Sequence, residues 1–198
     1  MKKVFFTVLM VSAVVFTVYP QFGIIRELSG NVELKTAGSS VFVPAQQGSH
    51  VAQDTIVSTG FRSTAIIDVG SSVITVRPLT RLSLSEIQSS SGTENLNVNL
   101  QAGRIRVDVK PPAGTRAATT IQSSSSTASA RRTTFEMDIF DLDVIEGRVV
   151  FNGKDGITVI TGGGSSSIIT STGSAKNPNV LTQENMTPPS PVRTLNFY

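Results

Sequence analysis

Two features of this sequence have the residue types that catalysis or ion binding requires, and both are better explained structurally. His50 is the only histidine. Nucleophilic catalysis of the serine-histidine type needs a base beside the hydroxyl, but His50 stands just before a predicted strand. We therefore interpret it as a turn or surface residue and predict no catalytic residue. A secreted hydrolase is therefore only the third hypothesis for the function.

A group of acids near residue 140 offers the hard oxygen ligands that calcium prefers. Their spacing lacks the glycine-punctuated loop that would wrap the oxygens around one ion. The acids alternate with apolar residues, which indicates a strand with its acids on the solvent face. We therefore predict neither a metal nor a cofactor. The acids are Asp138, Asp141, Asp143 and Glu146.

Two runs of small residues are predicted to be loops that connect strands. The glycine run 162–164 before Ser165 lacks the lysine and the helix of a phosphate-binding loop, so we expect a hairpin loop there. The serine run 123–126 is expected to be a flexible connection.

Composition indicates a globular β protein without covalent cross-links. Charged residues make up 16% of the chain, against roughly 25% in a typical soluble domain. Serine, threonine and glycine fill the difference and favour strands and turns. The chain has no cysteine, which excludes disulfides, thiolate zinc sites and a lipidated cysteine.

The net charge argues against a nucleic-acid partner. The formal charge is +3, and it falls to +1 once the two N-terminal lysines are set aside. Phosphate binding requires clustered basic residues. In the sequence many arginines are scattered among apolar strand residues, so we predict no nucleic-acid binding.

Residues 1–21 are predicted to be a signal peptide or an N-terminal membrane anchor. Lys2 and Lys3 precede an apolar run that ends at Tyr19, before Pro20. As a helix the run would be about 24 Å long, short of the roughly 30 Å hydrocarbon core. No clean cleavage site follows, so the sequence leaves cleavage open. Either way, we expect the rest of the chain outside the cytoplasm, in the periplasm or at the cell surface, with membrane contact only through residues 1–21.

From residue 22 to residue 175 the pattern predicts one all-β domain, and residues 176–198, which contain several prolines, are predicted to be a mobile tail. Short alternating or β-branched runs repeat between turn residues, without helical periodicity. The predicted strands are 23–28, 31–36, 40–43, 55–58, 64–69, 73–76, 81–87, 95–100, 104–110, 118–122, 134–139, 142–145, 148–152, 157–161 and 166–170.

Three short motifs resemble one another. Gly30, Gly103 and Gly147 each stand at a predicted turn and launch an alternating strand. The spacing is irregular, so stacked β units and independent strand starts remain equally open explanations.

Several segments, taken in order, resemble the FecR domain over residues 30–152. The resemblance rests on the order and spacing of these segments, since each pattern alone occurs at turns and strands of many β proteins. Gln53, Val69 and Thr133 depart from the family pattern. The segments are 51–60, 62–76, 79–84, 100–105, 130–137 and 144–151.

The resemblance implies an all-β, solenoid-like or sandwich-like fold of many short strands, here preceded by a signal helix. It also implies a non-catalytic envelope module for binding or sensing in signal transduction, acting through protein–protein contacts with an envelope partner. The alternative is a self-assembling or adhesive structural β protein. Because only three residues precede the apolar run, we expect no direct contact with a sigma factor. Eight motif residues are expected to be architectural: Asp54, Thr59, Gly60, Gly70, Arg132, Phe135, Glu146 and Gly147.

Overall fold

The computed structural model describes residues 22–90, 92–170 and 172–176. The predicted signal helix and nearly all of the predicted tail lie outside these residues. Within them the prediction of an all-β fold is confirmed, because every regular element is a strand. The described part of the chain holds no helix long and apolar enough to cross a membrane.

Seventeen strands form two sheets. The eight-stranded sheet has the order β17-β14-β13-β10-β7-β6-β1-β4. Its strands are β1 (Gly23–Ser29), β4 (His50–Val51), β6 (Thr64–Val69), β7 (Ser72–Val76), β10 (Ile105–Val109), β13 (Thr134–Met137), β14 (Asp141–Glu146) and β17 (Ser165–Ile168).

The nine-stranded sheet has the order β16-β15-β12-β11-β9-β8-β5-β2-β3. Its strands are β2 (Val32–Lys35), β3 (Val43–Pro44), β5 (Ile56–Thr59), β8 (Arg81–Ser90), β9 (Thr93–Ala102), β11 (Arg116–Ser123), β12 (Ser126–Ala130), β15 (Arg148–Gly153) and β16 (Thr158–Gly162).

From β6 onward, the chain alternates between the two sheets. Hairpins β6–β7 and β13–β14 belong to the eight-stranded sheet, whereas β8–β9, β11–β12 and β15–β16 belong to the nine-stranded one. The single strand β10 crosses between two of them, and β9 and β11 therefore run parallel. This winding combines the solenoid-like and sandwich-like features that the family resemblance implied.

The core lies between the two sheets because apolar residues alternate with polar ones along most strands. In β6, for example, every second residue is buried. Phe135 comes from the eight-stranded sheet and Phe151 from the nine-stranded sheet, and neither is exposed. Full burial of a phenylalanine side chain stabilises a fold by about 1.5–3 kcal/mol.

Two sequence-based predictions about connections were wrong. Ser123 closes a tight turn, because its Oγ accepts the backbone N–H groups of Ser125 at 3.2 Å and Ser126 at 3.0 Å. Strand β12 then begins, so the serine run is part of an ordered hairpin. The glycine run 162–164 joins β16 to β17, which lie in different sheets. It is therefore a crossing between the sheets and not a hairpin loop.

Candidate functional site

The three glycines of the repeated motif occupy equivalent positions. Gly30, Gly103 and Gly147 each lie where the chain crosses from one sheet to the other. Their φ angles are +77°, +83° and +88°, in the left-handed region that glycine enters without steric cost. The motif is thus a repeated structural unit and not a set of unrelated strand starts.

Each glycine packs on a second crossing that carries a buried hydroxyl. The hydroxyls belong to Ser63, Thr80 and Thr133, which are at most 2% exposed. In each pair the residue after the glycine donates its backbone N–H to the hydroxyl. The distances are 2.8 Å from Asn31 N to Ser63 Oγ, 3.0 Å from Arg104 N to Thr80 Oγ1 and 3.3 Å from Arg148 N to Thr133 Oγ1. We call each such pair of crossings a paired corner.

The hydroxyl side of every paired corner has the same backbone shape. The residue before the hydroxyl has a positive φ: +53° at Arg62, +55° at Leu79 and +51° at Arg132. Because arginine and leucine both occur at this position, the corner requires the left-handed backbone conformation there and not a particular side chain. The sequence pattern predicted the glycines but not their hydroxyl partners, although a serine or threonine before each strand was a visible signal.

Thr59 and Gly60, two of the predicted motif residues, connect two paired corners. Thr59 Oγ1 donates to the carbonyl of Arg77 at 2.6 Å and accepts the N–H of Thr80 at 3.0 Å. Gly60 donates its N–H to the carbonyl of Asn31 at 2.9 Å.

The other predicted residues are spread along the molecule. Asp54 has φ +60° and donates its backbone N–H to Leu84 O at 2.7 Å. Gly70 has φ +54° and lies against the Glu94 carboxylate, which accepts the N–H of Ser71 at 2.8 Å. Phe135 is in the core, and Glu146 is exposed at the end of β14. The eight residues do not converge on a single cleft.

Three of the four acids considered for calcium surround Arg104. Arg104 Nη2 lies 2.8 Å from Asp138 Oδ2 and 3.7 Å from Asp141 Oδ2, and Nη1 lies 3.2 Å from Asp143 Oδ2. Glu146 stands apart at the end of β14. In the described ranges no group of acids or histidines has the arrangement of a metal site.

Asp138 anchors this cluster electrostatically. Partial burial raises its pKa, but the backbone N–H groups of Phe140 and Asp141, both 2.8 Å from Oδ1, and the Arg104 guanidinium outweigh burial and hold that pKa below its ordinary value. Burial and the neighbouring Asp138 charge raise the pKa of Asp141. The cluster is an ion-pair network that joins the residue before β10 to β14 and to the turn before β14.

Within the described residues, the His50 imidazole has no hydroxyl or acid as a hydrogen-bond partner. It lies in β4, with its ring stacked on Phe22 at a centroid distance of 4.1 Å and an interplanar angle of 16°. No described residue forms a hydrogen bond with its imidazole. This position fits the surface role expected from the sequence.

The four sheet edges differ in how well they are protected. β3 and β4 have only two residues each, and β3 contains Pro44. The last residue of β17 is covered by the returning chain, because Lys176 N–H donates to Ile168 O at 3.0 Å. Short strands, proline and covering segments are the usual ways to block an edge.

β16 forms the one long unprotected edge in the described part of the chain. Its five residues, Thr158–Gly162, are uncharged, and no described strand pairs with its outer side. Ile160 is 61% exposed and stands opposite Val150, which is 38% exposed. Ile157, just before the strand, is 49% exposed. The residue pattern predicted this strand but not its position at the edge of a sheet.

Comparison with known families supports the sequence resemblance. Residues 54–150 match the family described as FecR protein. This protein contains a FecR domain. The matched stretch begins at the turn of Asp54, ends in β15 and includes two of the three paired corners. FecR domains serve in regulation and signal transduction, which supports a sensing role for this chain.

Two solved structures resemble the chain at low identity. Both are crystal structures of a candidate anti-sigma factor from Parabacteroides distasonis, with 11% identity and TM-scores of 0.49 and 0.48. The matches cover 66% and 64% of this chain, and this chain spans 64% and 62% of those chains. No curated protein matches the sequence.

Proposed function

We propose that this protein is an exported, non-catalytic sensing module of the cell envelope that works through protein–protein contacts. The FecR domain supports a role in signal transduction. Two of the described polar clusters serve the fold: hydroxyls fix the paired corners, and acids surround Arg104. Neither arrangement pairs a nucleophile with a base, as nucleophilic catalysis requires.

The open edge of β16 is the observation that carries the proposal. An unpaired strand edge presents a row of N–H and C=O groups that can accept a further strand. Recognition by strand addition draws affinity from these main-chain groups and specificity from side chains beside them. Here Ile160 and Val150 supply an apolar strip directly beside the edge. A partner segment with alternating apolar residues fits this surface.

We propose an extracytoplasmic location for this contact. The two N-terminal lysines and the apolar run to Tyr19 support export. Fractionation of cells producing the full-length chain, with N-terminal sequencing of the recovered protein, tests the location and shows whether residues 1–21 are removed. Recovery in the cytoplasm contradicts the proposal.

A pull-down from the envelope fraction tests the function. Full-length protein is the bait, and Ile160→Lys is compared with Val43→Lys, which alters an exposed residue on the opposite edge of the same sheet. We expect one defined envelope protein to be captured by the wild type and by Val43→Lys but lost with Ile160→Lys. Capture that is equal for both variants removes β16 from the contact.

Self-assembly is the second candidate function, and the same edge favours it. If two copies pair antiparallel about Ile160, each Ile160 faces its equivalent, and no charge opposes the contact. Light scattering over a range of concentrations tests this alternative. A strict monomer argues against it, whereas concentration-dependent oligomers that Ile160→Lys abolishes would support it.

The absence of direct sigma-factor contact stays a prediction. Co-purification of a sigma factor with the full-length chain contradicts it.

A further inference from the structure

The described arginines fall into two groups. Four of them are paired with acids. Arg26 bonds Asp68 at 3.1 Å, and Arg77 bonds Glu136 at 2.6 Å. Arg104 and Arg106 also have carboxylate partners. Their charges are therefore locally neutralised.

Three arginines of the second group share one cleft. Arg116, Arg131 and Arg132 line a cavity of about 430 Å³ at one end of the nine-stranded sheet. Among the described residues, no carboxylate lines this cavity and none of the three arginines forms an ion pair. The remaining lining residues are Thr93, Asn95, Thr115, Ala117 and Ala118. We call this the arginine cleft.

The fold brings these side chains together from distant parts of the sequence. The parallel pair β9 and β11 begins at the same end of the sheet, with Thr93 opposite Arg116. The backbone N–H of Arg116 donates to Gly92 O at 2.8 Å and fixes this start. Arg131 and Arg132 lie in the crossing between β12 and β13. The cleft is thus held by backbone pairing and not by its own side chains.

The structure does not require arginine at these positions. Arg132 has φ +51°, but Leu79 adopts φ +55° at the equivalent point of another paired corner. Arg132 is exposed, like Arg131, and its guanidinium stabilises no described acid. A guanidinium is permanently charged and offers five N–H donors. Three such groups around one cleft concentrate positive charge on a body that is otherwise nearly neutral.

We propose that the arginine cleft binds an acidic sugar unit, a polyhydroxy ligand that carries a carboxylate, sulfate or phosphate group. Guanidinium groups bind such oxyanions through paired, charge-assisted hydrogen bonds. The hydroxyls and amide of Thr93, Thr115 and Asn95 match the hydroxyls of a sugar, and Ala117 and Ala118 leave room for its ring. This binding is independent of the β16 edge, which lies at the margin of the same sheet.

Calorimetric titration of the full-length protein tests the proposal. The probe is trigalacturonate, the neutral control is maltotriose, and inorganic sulfate serves as a competitor. Arg116→Gln and Arg132→Gln are compared with Arg62→Gln. Arg62 is the matched control because it is exposed and has φ +53° at an equivalent corner, but it does not line the cleft.

We expect trigalacturonate to bind, maltotriose not to bind, and sulfate to compete. Each cleft substitution should weaken trigalacturonate binding about tenfold, the effect of one charge-assisted hydrogen bond, whereas Arg62→Gln should leave it unchanged. Added salt should weaken binding. The proposal is overturned if trigalacturonate does not bind, if Arg62→Gln weakens binding as much as the cleft variants, or if a single-stranded oligonucleotide binds more tightly than trigalacturonate.

Discussion

At the scale of single residues, Gly147 shows how strongly one backbone position is constrained. A Cβ atom there would lie 2.8 Å from Thr133 Oγ1 and 2.9 Å from the Arg132 carbonyl oxygen. The φ of +88° adds strain for any other residue. A side chain at this position would therefore add both a steric clash and backbone strain, and any substitution of Gly147 should lower stability.

Gly147→Val is expected to lower the free energy of unfolding by about 1–3 kcal/mol. In a domain of this size each kcal/mol corresponds to roughly 2–4 °C in Tm. Gly162→Val is the control, since nothing lies within 4 Å of its Cβ position and its φ is outside the left-handed region. Thermal unfolding measures both. An unchanged Tm for Gly147→Val contradicts this account of the turn.

Asp138→Asn is expected to lower stability at neutral pH, because it removes the charge next to Arg104 while keeping an oxygen to accept the N–H groups of Phe140 and Asp141. The pKa of Asp138 is below its ordinary value in the folded state. Its stabilisation is therefore complete above the unfolded pKa of about 3.9 and is lost as the pH falls through the depressed folded pKa.

Thermal unfolding across pH measures this effect. The Tm difference between wild type and Asp138→Asn should shrink as the solution becomes more acidic. A difference that stays constant from neutral to strongly acid pH would show that the Asp138 charge does not contribute.

At the scale of elements, the paired corners explain why the sandwich can change sheets so often. Each crossing interrupts a strand ladder and leaves backbone groups that need partners. One hydroxyl contacts both backbone polar groups of a residue in the neighbouring crossing. Thr80 Oγ1 accepts the N–H of Arg104 at 3.0 Å and also lies 3.0 Å from the Arg104 carbonyl oxygen. The corners therefore join neighbouring crossings as hydrogen-bonded units.

Thr80→Val should destabilise the protein by about 1–3 kcal/mol, because it leaves the N–H of Arg104 without its acceptor beside a buried side chain. Thr75→Val is the matched control, since Thr75 is only half-buried in β7 and its hydroxyl bonds no described residue. Chemical denaturation of both variants gives the comparison. Equal midpoints for the two variants contradict the role of the Thr80 hydroxyl.

The sequence predicted the strands better than their connections. Alternation identified β6 to the residue, because its buried and half-buried positions follow the period of a strand. Ser126–Ala130 was missed as a strand, since its buried residues are serine and alanine and not the large β-branched residues typical of a strand. The hydroxyl partners of the glycines and the arginine cleft depend on contacts between distant residues, which no local pattern contains.

At the scale of the whole molecule, the two sheets present different surfaces. The eight-stranded sheet carries arginines that acids neutralise, whereas the nine-stranded sheet carries the arginine cleft and ends in the uncharged edge of β16. Strand patterns could predict that a sandwich has edges, but not which strand lies at one, since this depends on the final strand order. The two proposed binding surfaces, the β16 edge and the arginine cleft, both lie on the nine-stranded sheet.

The central claim is that β16 is the contact through which the module meets an envelope protein. Photo-crosslinking in cells tests it most directly, with a benzophenone amino acid placed at position 160 or, as the control, at position 43. We predict an adduct with one other envelope protein from position 160 and none from position 43. No adduct at position 160, equal adducts from both positions, or an adduct only with a second copy of this chain would contradict the claim.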